Sequence, residues 1–156
     1  MKKVVLLIAF LSSAAAAAPA LAQDTGAPAR YREIELDSGF TPDPQVIAVE
    51  AGGNINATRL GSPCTGFIAG PPDVRLTYNA GSLPLIISVA SGADTTLVVN
   101  GPDGRWYCDD DGGVNGMNPQ VRFNSPASGR YEIWVGTYGG PELRNARLHI
   151  SELYSQ

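Results

Sequence analysis

The residue types best suited to chemistry lie in an acidic stretch in the second half of the chain. Asp109, Asp110 and Asp111 are consecutive, and two glycines follow them. Ca²⁺ takes about six to eight oxygen ligands from carboxylates, amides and backbone carbonyls, and glycines let carbonyls turn inward. The stretch therefore predicts a candidate Ca²⁺ site. Its predicted ligands are Asp94, Asp103, Asp109, Asp110, Asp111, Asn115 and Asn118.

The same aspartates are also typical of a solvated loop, because Asp favours turns. The spacing is not that of an EF-hand, since no glutamate stands where that loop requires one. Three adjacent like charges repel one another unless water or a cation neutralises them. A solvated turn and a Ca²⁺ site therefore both stay open at this loop, and only in the second case does Ca²⁺ stabilise the fold.

A hydrolytic site has the least support. His149 is the only histidine, and its alternation with apolar neighbours predicts a solvent-facing strand residue beside Arg147. No Gly-x-Ser-x-Gly motif is present. Two of the three carboxylates of Asp73, Asp94 and Glu132 could meet as a glycosidase pair, but a generally acidic surface explains them without catalysis. The sequence thus predicts no catalytic residues and no enzyme.

Four aromatic residues flank the acidic loop and form a candidate binding patch: Trp106, Tyr107, Trp134 and Tyr138. Exposed aromatic side chains on a sheet are suited to glycan or peptide contact. Trp134 alternates opposite to its apolar strand neighbours, so it either lies exposed or packs beneath a loop. A small second core near the cysteines is the favoured alternative.

The amino terminus indicates export. Lys2 and Lys3 precede an apolar run, and a small-residue stretch ends at Ala22, which is the pattern of a signal peptide over residues 1–22. In an exported protein, the pair Cys64 and Cys108 predicts a disulfide. We therefore expect a periplasmic or extracellular protein, with no membrane insertion after signal cleavage.

The charge balance narrows the partners. The whole chain carries a net charge of −4, and removal of the two leader lysines makes the remainder more acidic, at −6. A net-negative domain argues against a nucleic-acid partner, because phosphate binding needs a cationic surface. The expected partner is an unidentified protein or a glycan.

The elements that must position these residues are short strands. Residues 23–30 are small and polar and predict a disordered segment, and 31–156 predict one domain. Period-two apolar sets separated by Gly, Pro and Asn turns predict about eight to ten strands, and hence an all-β, antiparallel, jelly-roll-like β-sandwich. The sets include Ile34 and Leu36; Val74, Leu76 and Tyr78; Leu83, Leu85, Ile87 and Val89; Tyr131, Ile133 and Val135; and Ala146, Leu148 and Ile150.

Three segments together resemble a known family. These are the strand and turn of residues 93–104, the acidic loop of residues 109–113, and the element of residues 126–135, in which Pro, Gly and Tyr precede an alternating strand. They resemble the bacterial pre-peptidase C-terminal (PPC) domain family, and Cys64 and Cys108 resemble features of a stand-alone exported proteobacterial subgroup. The resemblance implies a jelly-roll-like sandwich that serves secreted proteins as an accessory module, with calcium binding in several relatives.

The functional expectation follows from these observations together. The chain is predicted to be an exported, non-catalytic accessory or binding module stabilised by Ca²⁺. The alternative is a structural or interaction subunit that docks on another envelope or secreted protein through an edge strand or the aromatic patch. A hydrolase or peptidase-associated protein comes third.

Overall fold

The structure, a computed structural model, describes residues 23–156, so the predicted signal peptide lies outside the described residues. This part is all-β, as predicted, apart from a single 3-10 turn at Ala57–Leu60. Within it, the strands are β1 (Arg32–Asp37), β2 (Gln45–Ala51), β3 (Ile55–Asn56), β4 (Phe67–Ile68), β5 (Val74–Asn79), β6 (Leu85–Ser91), β7 (Thr95–Asn100), β8 (Trp106–Asp109), β9 (Gln120–Phe123), β10 (Gly129–Thr137) and β11 (Arg144–Ser151).

Two sheets form the sandwich. The large sheet follows the order β1-β5-β10-β4-β3. On its opposite side, β10 pairs with β7, and β7 pairs in turn with β8. The small sheet has the order β2-β11-β6-β9. All pairings are antiparallel except that of β1 with β5, which is parallel and differs from the predicted antiparallel arrangement. The very short β3 and β4 extend the strand number beyond the prediction.

The main core lies between the two sheets and follows the predicted alternation. Side chains from β5, β7 and β10 meet those from β2, β6 and β11. Leu83 differs from the prediction, because it precedes β6 and is exposed. The predicted residues that are buried here are Val74, Leu76, Tyr78, Leu85, Ile87, Val89, Tyr131, Ile133, Val135, Ala146, Leu148 and Ile150.

A second, smaller core covers the outer face of the large sheet. The chain leaves β2 and crosses this face through β3, the 3-10 turn and β4, and the Cys64–Cys108 disulfide ties this crossing to β8. Trp134 is fully buried beneath it, where its indole Nε1 donates to the carbonyl of Gly70 at 3.2 Å. The predicted Cys64–Cys108 disulfide is confirmed. Trp134 lies in a small second core near the cysteines, which is the favoured one of its two predicted environments.

Residues 23–30 were predicted to be disordered, whereas the structure places them along the large sheet. The backbone N–H of Asp24 donates to the carbonyl of Gly70 at 3.0 Å. The Arg75 guanidinium donates to the carbonyls of Thr25 and Ala27 at 3.1 and 2.7 Å. Composition alone did not reveal this order, because the stabilising donors come from a strand about 50 residues away.

Candidate binding face

Asp103 lies apart from the rest of the predicted calcium ligands. It stands in the turn between β7 and β8, whereas Asp109 ends β8 opposite Leu97. Three residues of strand, about 10 Å, and the turn therefore separate the two aspartates. Asp103 accepts hydrogen bonds from the Tyr107 hydroxyl at 2.7 Å and from a turn N–H, and these bonds lower its pKa. Its role is to order the hairpin.

Asp109 and Asn118 fix the acidic loop to the sheets. The Asp109 carboxylate accepts from the backbone N–H groups of Gly112 and Gln120 at 2.7 and 2.8 Å. The buried Asn118 accepts from the Thr95 hydroxyl at 2.8 Å and donates to the carbonyl of Ser91 at 3.0 Å. Asn118 uses its only side-chain oxygen to hold the loop, so it is poorly placed to coordinate an ion, whereas both bonds to Asp109 fall on its Oδ2.

Asp94, Asp110 and Asp111 remain as a loose acidic cluster. Burial, together with the neighbouring carboxylates, raises the pKa values of Asp94 and Asp110. Within residues 23–156, no three acidic, histidine or cysteine side chains come close enough to hold a metal ion. Asn115 is exposed and faces a groove instead. The seven predicted ligands therefore do not fit one calcium cage.

The four aromatic residues do not form one surface patch. Trp134 is buried, and Trp106 packs against it with the ring centres 5.5 Å apart. Tyr107 points to the other side of β8 and meets Phe123 edge-on at 4.8 Å. Tyr138 alone is well exposed. Successive strand residues point to opposite faces, so Trp106 and Tyr107 stabilise different cores.

His149 was expected to face solvent but is buried, with 8% of its surface exposed. The alternation does place it on the outer face of the small sheet, between Val46 and Ser88. The chain after β11 then returns over this face, where the N–H of Gln156 donates to the Ser88 hydroxyl at 3.1 Å. Burial, and then the charge of Arg147, lower the pKa of His149, and neither ring nitrogen has a hydrogen-bond partner among residues 23–156. A catalytic base is normally oriented by such a partner.

Asp73 and Glu132 are structural anchors. Asp73 accepts from the N–H of Val135 at 2.7 Å and from the Arg30 guanidinium at 2.8 Å. Burial nevertheless raises its pKa to about 7. Glu132 is held by Arg75 at 2.7 Å. Each carboxylate is bound to the chain's own cations, so the predicted alternative of a catalytic pair with Asp94 gains no geometric support.

Glu152 is a third buried acid with a structural role. Its carboxylate accepts from the Tyr78 hydroxyl at 2.5 Å, the Ser38 hydroxyl at 2.7 Å and the N–H of Gly39 at 2.7 Å. Burial opposes ionisation, but these three hydrogen bonds outweigh it and lower the pKa of Glu152. The ionised group thus fixes the start of the returning segment, residues 152–156.

An open groove of about 840 Å³ crosses the outer face of the small sheet. One row of its floor is set by strand register, in which Arg147 of β11 stands between Ala48 of β2 and Ala90 of β6. Because the two alanines are small, the row leaves space above the sheet. Val114, 79% exposed, and Asn115 rise on one side from the loop after β8.

The groove offers recognition chemistry. Amide groups of Asn115 and Asn145, together with the Arg147 guanidinium, can donate to carbonyl or carboxylate oxygens. Arg147 is the only ionisable side chain among the described residues that line it. The sequence reasoning missed this site. Its available signal was the small outward residues Ala48 of β2 and Ser88 and Ala90 of β6, which become informative only once the strand register is known.

Comparison with known proteins assigns no family. No family model matches the chain, and no curated protein matches it. A periplasmic inhibitor of g-type lysozyme from Aeromonas hydrophila, PliG, is a similar solved structure, with 15% identity over 77% of this chain and 96% of that one. The TM-score is 0.42, which assigns neither a partner nor an activity. In the described part of the chain, no helix is long and apolar enough to cross a membrane.

Proposed function

We propose that this chain is an exported, non-catalytic binding module that takes its partner on the outer face of the small sheet. The observation that carries the proposal is the groove of about 840 Å³ over β2, β11 and β6. Ligand sites in proteins are concave, with a few polar groups that fix the orientation of the ligand. The groove meets this description, with amides and one guanidinium above a small-residue floor.

The chemistry of the groove favours an extended protein segment as the partner. A segment with exposed carbonyls or a carboxylate would find donors in Asn145 and Arg147, and Val114 would cover an apolar side chain. Arg147 is a local cation on a chain that is acidic as a whole, so an acidic segment would be drawn to this place.

The buried ionisable groups support a role without catalysis. Asp73, Glu132 and Glu152 are each occupied by hydrogen bonds or ion pairs that join distant parts of the fold. His149 is buried, and its ring nitrogens have no hydrogen-bond partner in the part of the chain that the structure describes. A hydrolase would instead need acid, base and nucleophile groups that converge in a cleft.

The PPC-like accessory role and the export remain part of the proposal. The signal-peptide pattern and the disulfide support a periplasmic or extracellular location. The seven-residue calcium cage receives no support from the geometry, so any Ca²⁺ effect would come from the smaller cluster of Asp94, Asp110 and Asp111. Such an effect would change the stability of the fold, and the proposed binding of a partner in the groove does not depend on it.

A test uses immobilised residues 23–156 and an extract of the exported proteins of the producing cell. Ala90→Trp fills the groove floor, and Thr77→Trp adds the same side chain to the exposed outer face of the large sheet. Captured proteins are quantified by mass spectrometry for both variants and for the unchanged chain. We expect Ala90→Trp to lose a captured protein that Thr77→Trp retains.

Two outcomes would contradict the proposal. One is equal capture by all three chains, because the groove would then have no part in binding. The other is loss of capture by Thr77→Trp alone, which would place the partner on the large sheet. Both variants must first show the same circular dichroism and unfolding midpoint as the unchanged chain, so that a loss of capture cannot result from misfolding.

A further inference from the structure

Strand β2 forms a free edge of the small sheet. In the described part of the chain its only sheet neighbour is β11. Within residues 23–156, the backbone groups of Gln45–Ala51 make no hydrogen bond outside that ladder. One side of the strand therefore presents unpaired N–H and C=O groups over seven residues. Such an edge is a template for another strand, and proteins usually protect it.

The other edge strands are protected or very short, and β3 has only two residues. Strand β1 carries charged side chains at four of its six positions: Arg32, Glu33, Glu35 and Asp37. Strands β8 and β9 have four residues each, and Asp109 of β8 binds the first N–H of β9. Strand β2, in contrast, is long, has no proline or lysine, and has the single charge of Glu50.

We propose that a second copy of this chain pairs with β2 in antiparallel fashion, with Ala48 facing the second copy's Ala48. Antiparallel neighbours directly opposite each other share a face, so an allowed register keeps the core side and the solvent side of both strands aligned. The register centred on Ala48 does so and uses all seven residues, Gln45 to Ala51.

This register is self-complementary. On the core side, Ile47 faces Val49 of the second copy, and both are already buried apolar residues. On the solvent side, Glu50 faces Val46, whose side chain is 45% exposed and can cover the aliphatic part of the glutamate. No two like charges stand opposite each other. The residue at the twofold axis is an alanine, whose small side chain allows close approach of the two strands at that position.

Pairing would join two four-stranded sheets into one continuous sheet. The two grooves would then lie side by side on one surface, since Ala48 belongs both to β2 and to the groove floor. This last consequence rests on the proposed function, whereas the pairing itself does not. Loss of pairing leaves groove-dependent capture measurable, so the two proposals fail separately.

The test is a matched charge pair at one exposed position outside the groove. Val46→Glu places a carboxylate opposite Glu50 of the second copy, twice per dimer, whereas Val46→Lys places an ammonium there. We expect a concentration-dependent dimer for the unchanged chain in sedimentation velocity. We expect the dissociation constants of the two variants to differ by about tenfold or more, with Val46→Glu the weaker, because facing charges stabilise or destabilise a strand pair.

The double variant Val46→Glu with Glu50→Lys restores an opposite-charge pair and is expected to recover the dimer. Its recovery identifies the register, because Glu50 and Val46 face each other only when Ala48 lies at the axis. A monomer at millimolar concentration for the unchanged chain would overturn the proposal. So would a dimer that Val46→Glu and Val46→Lys leave equally strong, since the contact would then lie elsewhere.

Discussion

The outer faces of the two sheets are treated in opposite ways. On the large sheet, residues 23–30 and residues 52–70 cover part of the strands, and these segments are held by the disulfide and by the hydrogen bonds from Arg75 to the carbonyls of Thr25 and Ala27. On the small sheet, among residues 23–156, only residues 152–156 return over the strands, and a groove and a free edge strand remain.

The difference indicates which face is available for recognition. A face closed by the chain's own segments has its donors, acceptors and apolar surface already used. A face with open space, unengaged amides and unpaired backbone groups still has interactions to make. We therefore expect substitutions at the covered positions of the large-sheet face to change stability, and substitutions at the exposed positions of the small-sheet face to change association.

The largest effect should come from Trp134 on the closed face. Trp134→Ala removes a fully buried indole from the second core and should lower the free energy of unfolding by about 3–5 kcal/mol. Arg147→Ala on the open face should change it by less than about 0.5 kcal/mol. Urea unfolding measures both, and similar losses for the two variants would show that the faces are equally packed.

Removal of the disulfide should come next. The bridge joins residues separated by 44 positions, so its loss should lower the free energy of unfolding by about 2–4 kcal/mol. Cys64→Ala with Cys108→Ala avoids free thiols. The double variant should unfold identically with and without a reductant, while the unchanged chain should lose stability on reduction. An unchanged chain that is indifferent to reduction would show that the cover does not depend on the bridge.

Asp73 should make the closed face sensitive to pH. Its folded pKa of about 7 lies above the ordinary value of 3.8, so the folded state holds the proton more tightly than the unfolded state. The contribution of Asp73 is then fully present below about pH 4 and is lost as the pH rises through 7. Asp73→Asn should remove a decline of up to about 4 kcal/mol between these limits, measured as the difference from the unchanged chain. Parallel pH profiles would contradict this assignment.

His149 should give the open face the opposite pH dependence. Its folded pKa is lowered by burial and by Arg147, so stability is lost as the pH falls below the ordinary value of 6.5. The slope can reach about 1.4 kcal/mol per pH unit for one proton. His149→Leu should abolish it, and hydrogen exchange should show residues 152–156 opening first in acid. If all backbone amides became equally exposed to exchange in acid, protonation of His149 would not act locally on residues 152–156.

The smallest effect should come from calcium. Millimolar Ca²⁺ should screen the repulsion among Asp94, Asp110 and Asp111 and raise the melting temperature by about 1–2 °C over that in excess EDTA. Asp110→Asn should reduce this rise. An unchanged melting curve would show that Ca²⁺ does not stabilise the fold. A rise in melting temperature above about 10 °C would require a set of converging Ca²⁺ ligands, which the geometry of residues 23–156 does not show.

Local patterns predicted the core strands well, because alternation such as that of Tyr131, Ile133 and Val135 depends only on which sheet face is buried. The patterns failed where segments that are distant in the sequence determine whether a residue is buried or ordered. His149 does point outward, yet the returning segment covers it, and residues 23–30 are ordered by Arg75. The groove and the free edge of β2 depend on strand order, which no local pattern contains.

The central claim, that the small sheet carries the binding surface, is tested most directly by photo-crosslinking in the producing cell. A photoreactive amino acid replaces Asn145 in the groove in one chain and Thr77 on the large sheet in another, both at exposed positions. The account predicts a discrete adduct from position 145 and none from position 77. A discrete adduct from position 77 with none from position 145 would contradict it.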